Sequence, residues 1–215
     1  MKPMLICIIG PDGTGKTTQA KMLVKKLNEA GIKCKYRWLR FYHLFCLPLL
    51  AIARLMGLSE VETLDTGRKI GYHYFYKSKT ISSLYSILLF IDTLFFTIIK
   101  AYVPLKIFKK TIVCDRFVYD TLVDLMVSTR NYNIYSSIIG RLFLSLIPKN
   151  SKIIMLIADE KILRKRRDDV MHDKTLNLRI KLYKKLSEEF GILMINTNNL
   201  SINKVQERLI QAIKI

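Results

Sequence analysis

Residues 4–31 leave a chain little freedom. A short apolar run, Met4–Ile9 (MLICII), meets the glycine-rich octet Gly10-Pro11-Asp12-Gly13-Thr14-Gly15-Lys16-Thr17, and a helical pattern follows at once. An apolar run without alternation suits a strand buried on both faces. Lys16–Ala30 carries helical spacing at Ala20, Leu23, Val24 and Leu27 and stops at Gly31, a good C-terminal cap. The octet fits G-x-x-x-x-G-K-[ST] without a mismatch, between the strand and helix that this motif requires. Its glycines let the backbone curl until successive N–H groups point inward at phosphate oxygens, and the helix N-terminus adds its dipole. In such a loop Lys16 reaches the β- and γ-phosphates, and the Thr17 hydroxyl ligates Mg²⁺. Gly10, Asp12, Gly13, Thr14, Gly15, Lys16, Thr17 and Thr18 are the candidate ATP-phosphate residues.

The same alternation continues downstream. Lys33–Trp38, Thr111–Asp115, Lys152–Ala158 and Leu193–Thr197 read as four more strands. Helical patterns follow at about 175–190 and at 202–213, the latter opened by Ser201 as N-cap. Strands alternating with helices imply a parallel sheet covered on both faces. The expectation is one α/β domain over 1–215 with a three-layer P-loop NTPase fold. It has about five parallel strands, helices on both faces and a basic lid at about 160–174.

Two long apolar stretches, Phe41–Leu58 and Leu84–Leu105, interrupt this rhythm and mark 41–105 as an apolar helical acceptor or dimer region. A single membrane crossing is excluded, because the strands at Met4–Ile9 and Thr111–Asp115 share a sheet. A hairpin of both stretches would carry Asp92, Arg54 and His43 into lipid, where a central Asp or Arg costs about 2.5–3.5 kcal/mol. Buried helices or a dimer face are the expectation, and peripheral membrane contact is not favoured.

The 215 residues are half hydrophobic, with only nine Gly and five Pro, which excludes disordered and collagen-like chains. The net charge of +19 calls for an anionic counterpart: nucleotide, nucleic acid or acidic membrane. Cys7, Cys34, Cys46 and Cys114 form no C-x-x-C, and His43, His73 and His172 lie far apart, so no metal-ligand spacing or disulfide framework emerges. Buried thiols in a reducing, cytoplasmic setting are expected. The first apolar run ends in a glycine-rich loop rather than a small-residue cleavage site, so it is not read as a signal peptide.

A second carboxylate narrows the chemistry. Asp115 closes the apolar run Thr111–Cys114, where an acid reaches Mg²⁺ from a strand end, and Arg116 follows directly. A cation there bridges donor and acceptor phosphates as charge develops. The densest basic run, Arg164-Lys165-Arg166-Arg167, lies in a connection longer than the sheet needs and reads as a lid.

These residues resemble the thymidylate kinases among the P-loop nucleoside monophosphate kinases. GPDGTGKTTQ is similar to that family's G-x-[DE]-G-x-G-K-[ST]-[ST]-Q, and CDRFVYD (Cys114–Asp120) to its D-R-[YF] motif. The order of elements agrees over most of the chain, ending in INTNNLSINKV (Ile195–Val205), where adenine packs in the family. The specific motifs occupy only about 1–20 and 111–121. The resemblance implies γ-phosphoryl transfer from ATP to a nucleoside monophosphate, dTMP to dTDP, with Mg²⁺ held by Thr17 and Asp115. It implies acceptor contacts from Asp12, Arg116 and Phe90, and catalytic roles for Lys16, Asp115, Arg116 and a lid arginine, Arg164 or Arg167, with Arg166 also a candidate. It implies a homodimer through the apolar helices, with Leu84–Ile99 as one face.

The acceptor side departs from the family. Its T-R-E-P-G stretch is replaced by Arg37-Trp38-Leu39-Arg40-Phe41-Tyr42, and its L-F-x-x-[DN]-R-x-x-H helix by Leu89-Phe90-Ile91-Asp92-Thr93-Leu94-Phe95. Arg37, Arg40 and Arg68 are the arginines available to replace the missing one. Two alternatives follow: the same scaffold acting on another, amphiphilic acceptor, or a non-catalytic nucleotide-binding module on nucleic acid or anionic membrane. Nucleic acid is disfavoured, since exposed aromatics interleaved with the basic residues are not evident outside 36–45 and 72–76.

Overall fold

The computed structural model describes residues 2–40, 43–64, 66–67 and 69–213. The chain runs β1 (Leu5–Ile9), α1 (Lys16–Glu29), β2 (Cys34–Trp38), α2 (Leu47–Leu55) and a hairpin of β3 (Ser59–Thr63) and β4 (Lys69–His73). Then come α3 (Lys79–Thr97), a π turn (Ile98–Tyr102), α4 (Val103–Lys106), β5 (Thr111–Asp115), α5 (Val118–Thr129) and α6 (Ile138–Ser145). The last third is β6 (Lys152–Ile157), α7 (Glu160–Arg166), α8 (Asp168–Met171), α9 (Leu176–Phe190), β7 (Leu193–Asn196) and α10 (Ile202–Ile213).

The five expected strands form one sheet in the order β2-β5-β1-β6-β7, and all four pairings are parallel. β1 lies at its centre with every residue buried. Alternation within β1 divides the core. Leu5, Cys7 and Ile9 join the layer of α3, α5 and α9, whereas Ile6 and Ile8 join the layer of α1 and α10. A strand with neighbours on both edges and helices on both faces has no position for a polar side chain, which is why MLICII is uninterrupted. Each large aliphatic side chain so buried contributes about 1.5–3 kcal/mol.

Local signals set the helix ends. Gly31 adopts φ +78° and closes α1, with Ile32 N–H donating to the Leu27 carbonyl at 2.9 Å. The Ser201 hydroxyl accepts from Lys204 N–H at 3.3 Å, capping α10. All four cysteines are buried and free.

The region expected to be helical, 41–105, is only partly so. Between its apolar stretches lies the antiparallel hairpin of β3 and β4, in register from Ser59↔His73 to Thr63↔Lys69. Its alternating SEVET and KIGYH segments are mostly solvent-exposed, so the hairpin carries too little apolar content to register as a strand pair. Asp92 is fully buried on α3, and its two carboxylate oxygens accept from the N–H groups of Leu44, Phe45 and Cys46 at 2.9–3.0 Å. It therefore fixes the chain entering α2. The helices α5 and α6 carry no counterpart among the sequence expectations.

Candidate active site

Parallel strands deliver their carboxyl ends to one edge, and the polar residues gather there. β1 ends at the phosphate loop, and Trp38 at the end of β2 stands opposite Asp115 at the end of β5. Gly10 (φ +134°), Gly13 (φ +85°) and Gly15 (φ +88°) give the loop its curl. At Gly10 a Cβ would stand 2.1 Å from the Leu156 carbonyl oxygen, so the loop runs against β6 with no space for a side chain. The Thr14 hydroxyl donates to the Pro11 carbonyl at 2.9 Å and braces the turn. Thr17 and Thr18 occupy the exposed first turn of α1.

Lys16 folds back over this loop. Its Nζ donates to the Pro11 carbonyl at 2.5 Å and lies 3.9 Å from Asp12 Oδ1. Burial lowers its pKa to about 8, partly opposed by the negative charges of Asp120 and Asp115. A buried ammonium with one carbonyl and one carboxylate 3.9 Å away is poised to gain from an arriving phosphate.

Asp115 is fully buried at the end of β5. Its Oδ2 accepts from Thr17 Oγ1 at 2.5 Å and from the Tyr36 hydroxyl at 3.0 Å, while its Oδ1 has no hydrogen-bond partner. An unpartnered buried carboxylate oxygen beside a hydroxyl is a hard oxygen pair, and it fits Mg²⁺, which takes few protein ligands when phosphates supply others. Arg116 follows in the left-handed region at φ +70° and is buried. Its Nη2 pairs with Asp12 Oδ1, while Nη1 lies 3.5 Å from Asp120 Oδ1 without a hydrogen bond. A non-glycine residue held there costs about 1–3 kcal/mol, a strain typical of functional turns.

Asp120 organises the back of the site. It is fully buried; its Oδ2 accepts from Phe117 N–H at 2.9 Å, and its Oδ1 from the Tyr183 hydroxyl at 2.7 Å and from Gly10 N–H at 3.4 Å. One carboxylate thus ties the phosphate loop, the Asp115–Arg116 turn and α9 together.

A cavity of about 690 Å³ opens from this edge. Asp12, Thr17 and Arg116 line it on the phosphate-loop side, and Trp38, Tyr85, the hairpin residues Lys69, Gly71 and Tyr72, and Tyr74 just after the hairpin contribute walls. Arg40, Asp124 and Arg179 also line it. Arg40 forms two bonds to Asp124, at 2.7 and 2.8 Å, and reaches within 3.5 Å of Asp12; Arg179 meets Asp124 at 2.5 Å. Burial alone would raise the Asp124 pKa, but the two guanidiniums hold it far below the ordinary carboxylate range. Farther along the wall the Arg130 guanidinium lies 3.7 Å from the centre of the Tyr76 ring.

Of the three arginines offered as acceptor contacts, Arg40 lines the cavity; Arg37 is absent from the lining and donates to the Tyr36 carbonyl at 3.2 Å. Arg68 lies outside the described residues. Arg179 and Asp124 were missed, since nothing in their spacing links them. Phe90 does not line the cavity: its ring packs edge-on against Phe143 at 5.4 Å, within the core between α3 and α6. Tyr85 is the α3 side chain that reaches the cavity.

The lid run divides by direction. Arg167 lines the cavity, paired with Asp169 at 2.5 Å. Arg164 faces away and staples the lid to itself, donating to Glu160 Oε1 at 2.7 and 2.9 Å and to the Met171 carbonyl at 2.5 Å. Its five donated hydrogen bonds go to Glu160 and to the carbonyls of Val170, Met171 and Asp173, all within the lid. Arg166 donates to the carbonyls of Gly13 and Thr197, at 3.3 and 2.8 Å, and bridges the phosphate loop to the turn after β7. The lid packs down through buried Leu163 and Val170.

No protein-family model and no curated protein matches the sequence. Among solved structures, the thymidylate kinase from Ehrlichia chaffeensis is similar, with a TM-score of 0.54 and 18% identity over 98% of each chain. That likeness shows the fold: an α/β architecture with a central five-stranded parallel sheet and helices around it.

Proposed function

We propose that the protein transfers the γ-phosphoryl group of ATP to the phosphate of a nucleoside monophosphate. The observation that carries this reading is the cavity: one space runs from the phosphate loop, past Arg116 and Arg40, into an aromatic recess beneath the lid arginine Arg167. A nucleotide-binding module has no need of a second compartment at the loop. Ring-bearing walls from Trp38, Tyr72, Tyr74 and Tyr85 suit a nucleobase, and the buried guanidiniums suit its phosphate.

In this reading the loop N–H groups and Lys16 bind the β- and γ-phosphates of ATP. Thr17 Oγ1 and Asp115 Oδ1 are the donors for Mg²⁺, which when bound neutralises charge on those phosphates. Arg40 and Arg116 orient the acceptor phosphate so that one of its oxygens attacks the γ-phosphorus in line while the bond to the β-phosphate oxygen breaks. Arg116, already strained into position, and Arg167, from the lid, meet the charge that develops on the transferring group. The closed lid excludes water, which would otherwise compete as acceptor.

Thymidylate is the acceptor we propose first, from the likeness of the two loop motifs. A second reading, another phosphorylated acceptor, is favoured by the hairpin, since all of β4, Lys69 to His73, lines the cavity. Coupled ADP release, screened across all common nucleoside monophosphates, tests both. Stimulation by dTMP above the others supports the first reading. ATP binding without stimulation by any nucleotide overturns it and favours the second.

A further inference from the structure

The apolar surface of α2 and α3 takes no part in the site. Along α3 and the π turn, Leu84, Ile87, Ile91, Phe95 and Ile98 recur at helical spacing, and each is 39–50% exposed. On α2, Leu47 and Ile52 are exposed as well, and Leu55 stands 89% exposed. Phe45 meets Phe95 edge-on at 6.3 Å, so the two exposed faces adjoin. Past α4, Ile107 and Phe108 extend the surface, at 68% and 59% exposed. In the apolar helical run Lys79–Lys106, only 33% of the most apolar window is buried. A core helix of this composition would be mostly buried, and isolated exposed apolar residues do not align on one face.

The charges around this face are one-sided. Segments 44–58 and 79–110 contain Arg54, Lys79, Lys100, Lys106, Lys109 and Lys110 against a single acid, Asp92. Asp92 is fully buried and committed to the N–H groups of Leu44, Phe45 and Cys46. Every exposed charge on these segments is therefore positive. Among the described residues, Arg54, Lys79, Lys106 and Lys109 have no acidic partner within 4.0 Å.

We propose that this face docks on an anionic bilayer surface, with the apolar rows of α2 and α3 seated among the acyl chains and the lysines on the headgroups. Apolar anchors flanked by basic residues are the composition that binds the interfacial layer of acidic membranes. Charge complementarity selects this occupant over a second copy of the chain. Two such faces brought together would set the cations of 44–58 and 79–110 against one another, and those segments hold no exposed acid to offset them. The helix lies on the bilayer rather than crossing it, because lipid burial would strip Asp92 from three backbone donors.

The test is co-flotation of the full chain with vesicles of phosphatidylcholine alone, and of phosphatidylcholine carrying about 30% phosphatidylglycerol, a charge density that gives an appreciable surface potential. The protein floats with the anionic vesicles and not with the neutral ones. Ile87→Glu with Ile91→Glu lowers the bound fraction roughly tenfold or more. Lys106→Ala and Lys109→Ala each lower it by about fivefold. All these positions are exposed, and unchanged melting temperatures and ATP affinity show that the variants fold. Absence of flotation with the anionic vesicles overturns the proposal. So does a wild-type dimer in light scattering that the Ile87→Glu, Ile91→Glu variant splits while vesicle binding persists; that result assigns the face to a second copy.

Discussion

The Tyr183 hydroxyl donates to Asp120 Oδ1 across 2.7 Å of fully buried space, joining α9 to the carboxylate that also receives the N–H groups of Gly10 and Phe117. The phosphate loop therefore rests, through a single acid, on a helix whose Tyr183 lies 173 positions beyond Gly10. Tyr183→Phe keeps the ring and removes only the donor, leaving a buried carboxylate one bond short. The expected cost is about 1–3 kcal/mol in denaturant unfolding. A variant as stable as wild type would show that Asp120 does not depend on this bond.

Protonation of Lys16 links nucleotide binding to pH. Burial lowers its pKa to about 8, and phosphate binding favours the charged form. ATP binding near pH 8–9 then takes up a proton, and affinity weakens as pH rises above about 8. Calorimetry in buffers of different ionisation enthalpy reads the uptake directly. In Lys16→Met the uptake disappears, along with most of the affinity. Equal heats in all buffers at pH 8.5 would remove Lys16 from this role.

The loop and the strands were legible because their signals are local. Eight consecutive residues specify the phosphate loop, and unbroken apolar runs specify strands covered on both faces. Asp115–Arg116 was legible for the same reason, as a charged pair ending such a run. The acceptor side is built differently. Asp124 meets Arg40 from 84 positions away and Arg179 from 55, so no spacing within a helix or loop announces the cluster. Phe90 and Tyr85 lie on the same helix, and only its rotation against α6 decides which one meets the cavity. Arg164 and Arg167 share a helical face in sequence, yet the chain breaks between α7 and α8 at Arg167 (φ −155°), which sends the two guanidiniums in different directions.

That break separates two lid arginines by experiment. Arg167 lines the cavity, whereas Arg164 holds Glu160 and the Met171 carbonyl. With an acceptor that supports turnover, Arg167→Ala should lower kcat by about 10²–10³, the scale for losing one donor to a developing anion, with little change in ATP affinity. Arg164→Ala should loosen the lid, visible as faster proteolysis or amide exchange over 160–174, with a smaller effect on kcat. The reverse ranking of the two kcat values would reassign them.

His73 makes stability depend on pH in a defined window. Its Nδ1 lies 2.8 Å from Ser59 Oγ, and its ring stacks on Phe75 with centroids 4.9 Å apart. Burial first, then the neighbouring His43, lowers its pKa from 6.5 to about 4; Asp124 opposes this and the Arg179 and Arg54 charges add to it. Because the folded pKa lies below the unfolded one, the neutral form stabilises the fold fully above pH 6.5, and that contribution is lost as pH falls toward 4. At pH 5 the loss is about 1–2 kcal/mol after allowance for partial solvent access, or roughly 2–8 °C in Tm for a chain of this size. His43, whose pKa burial also lowers, adds in the same direction. His73→Gln keeps a polar partner for Ser59 and cannot titrate, so its Tm should fall less than that of wild type between pH 7 and pH 5. Parallel pH profiles for the two proteins would place the acid sensitivity elsewhere.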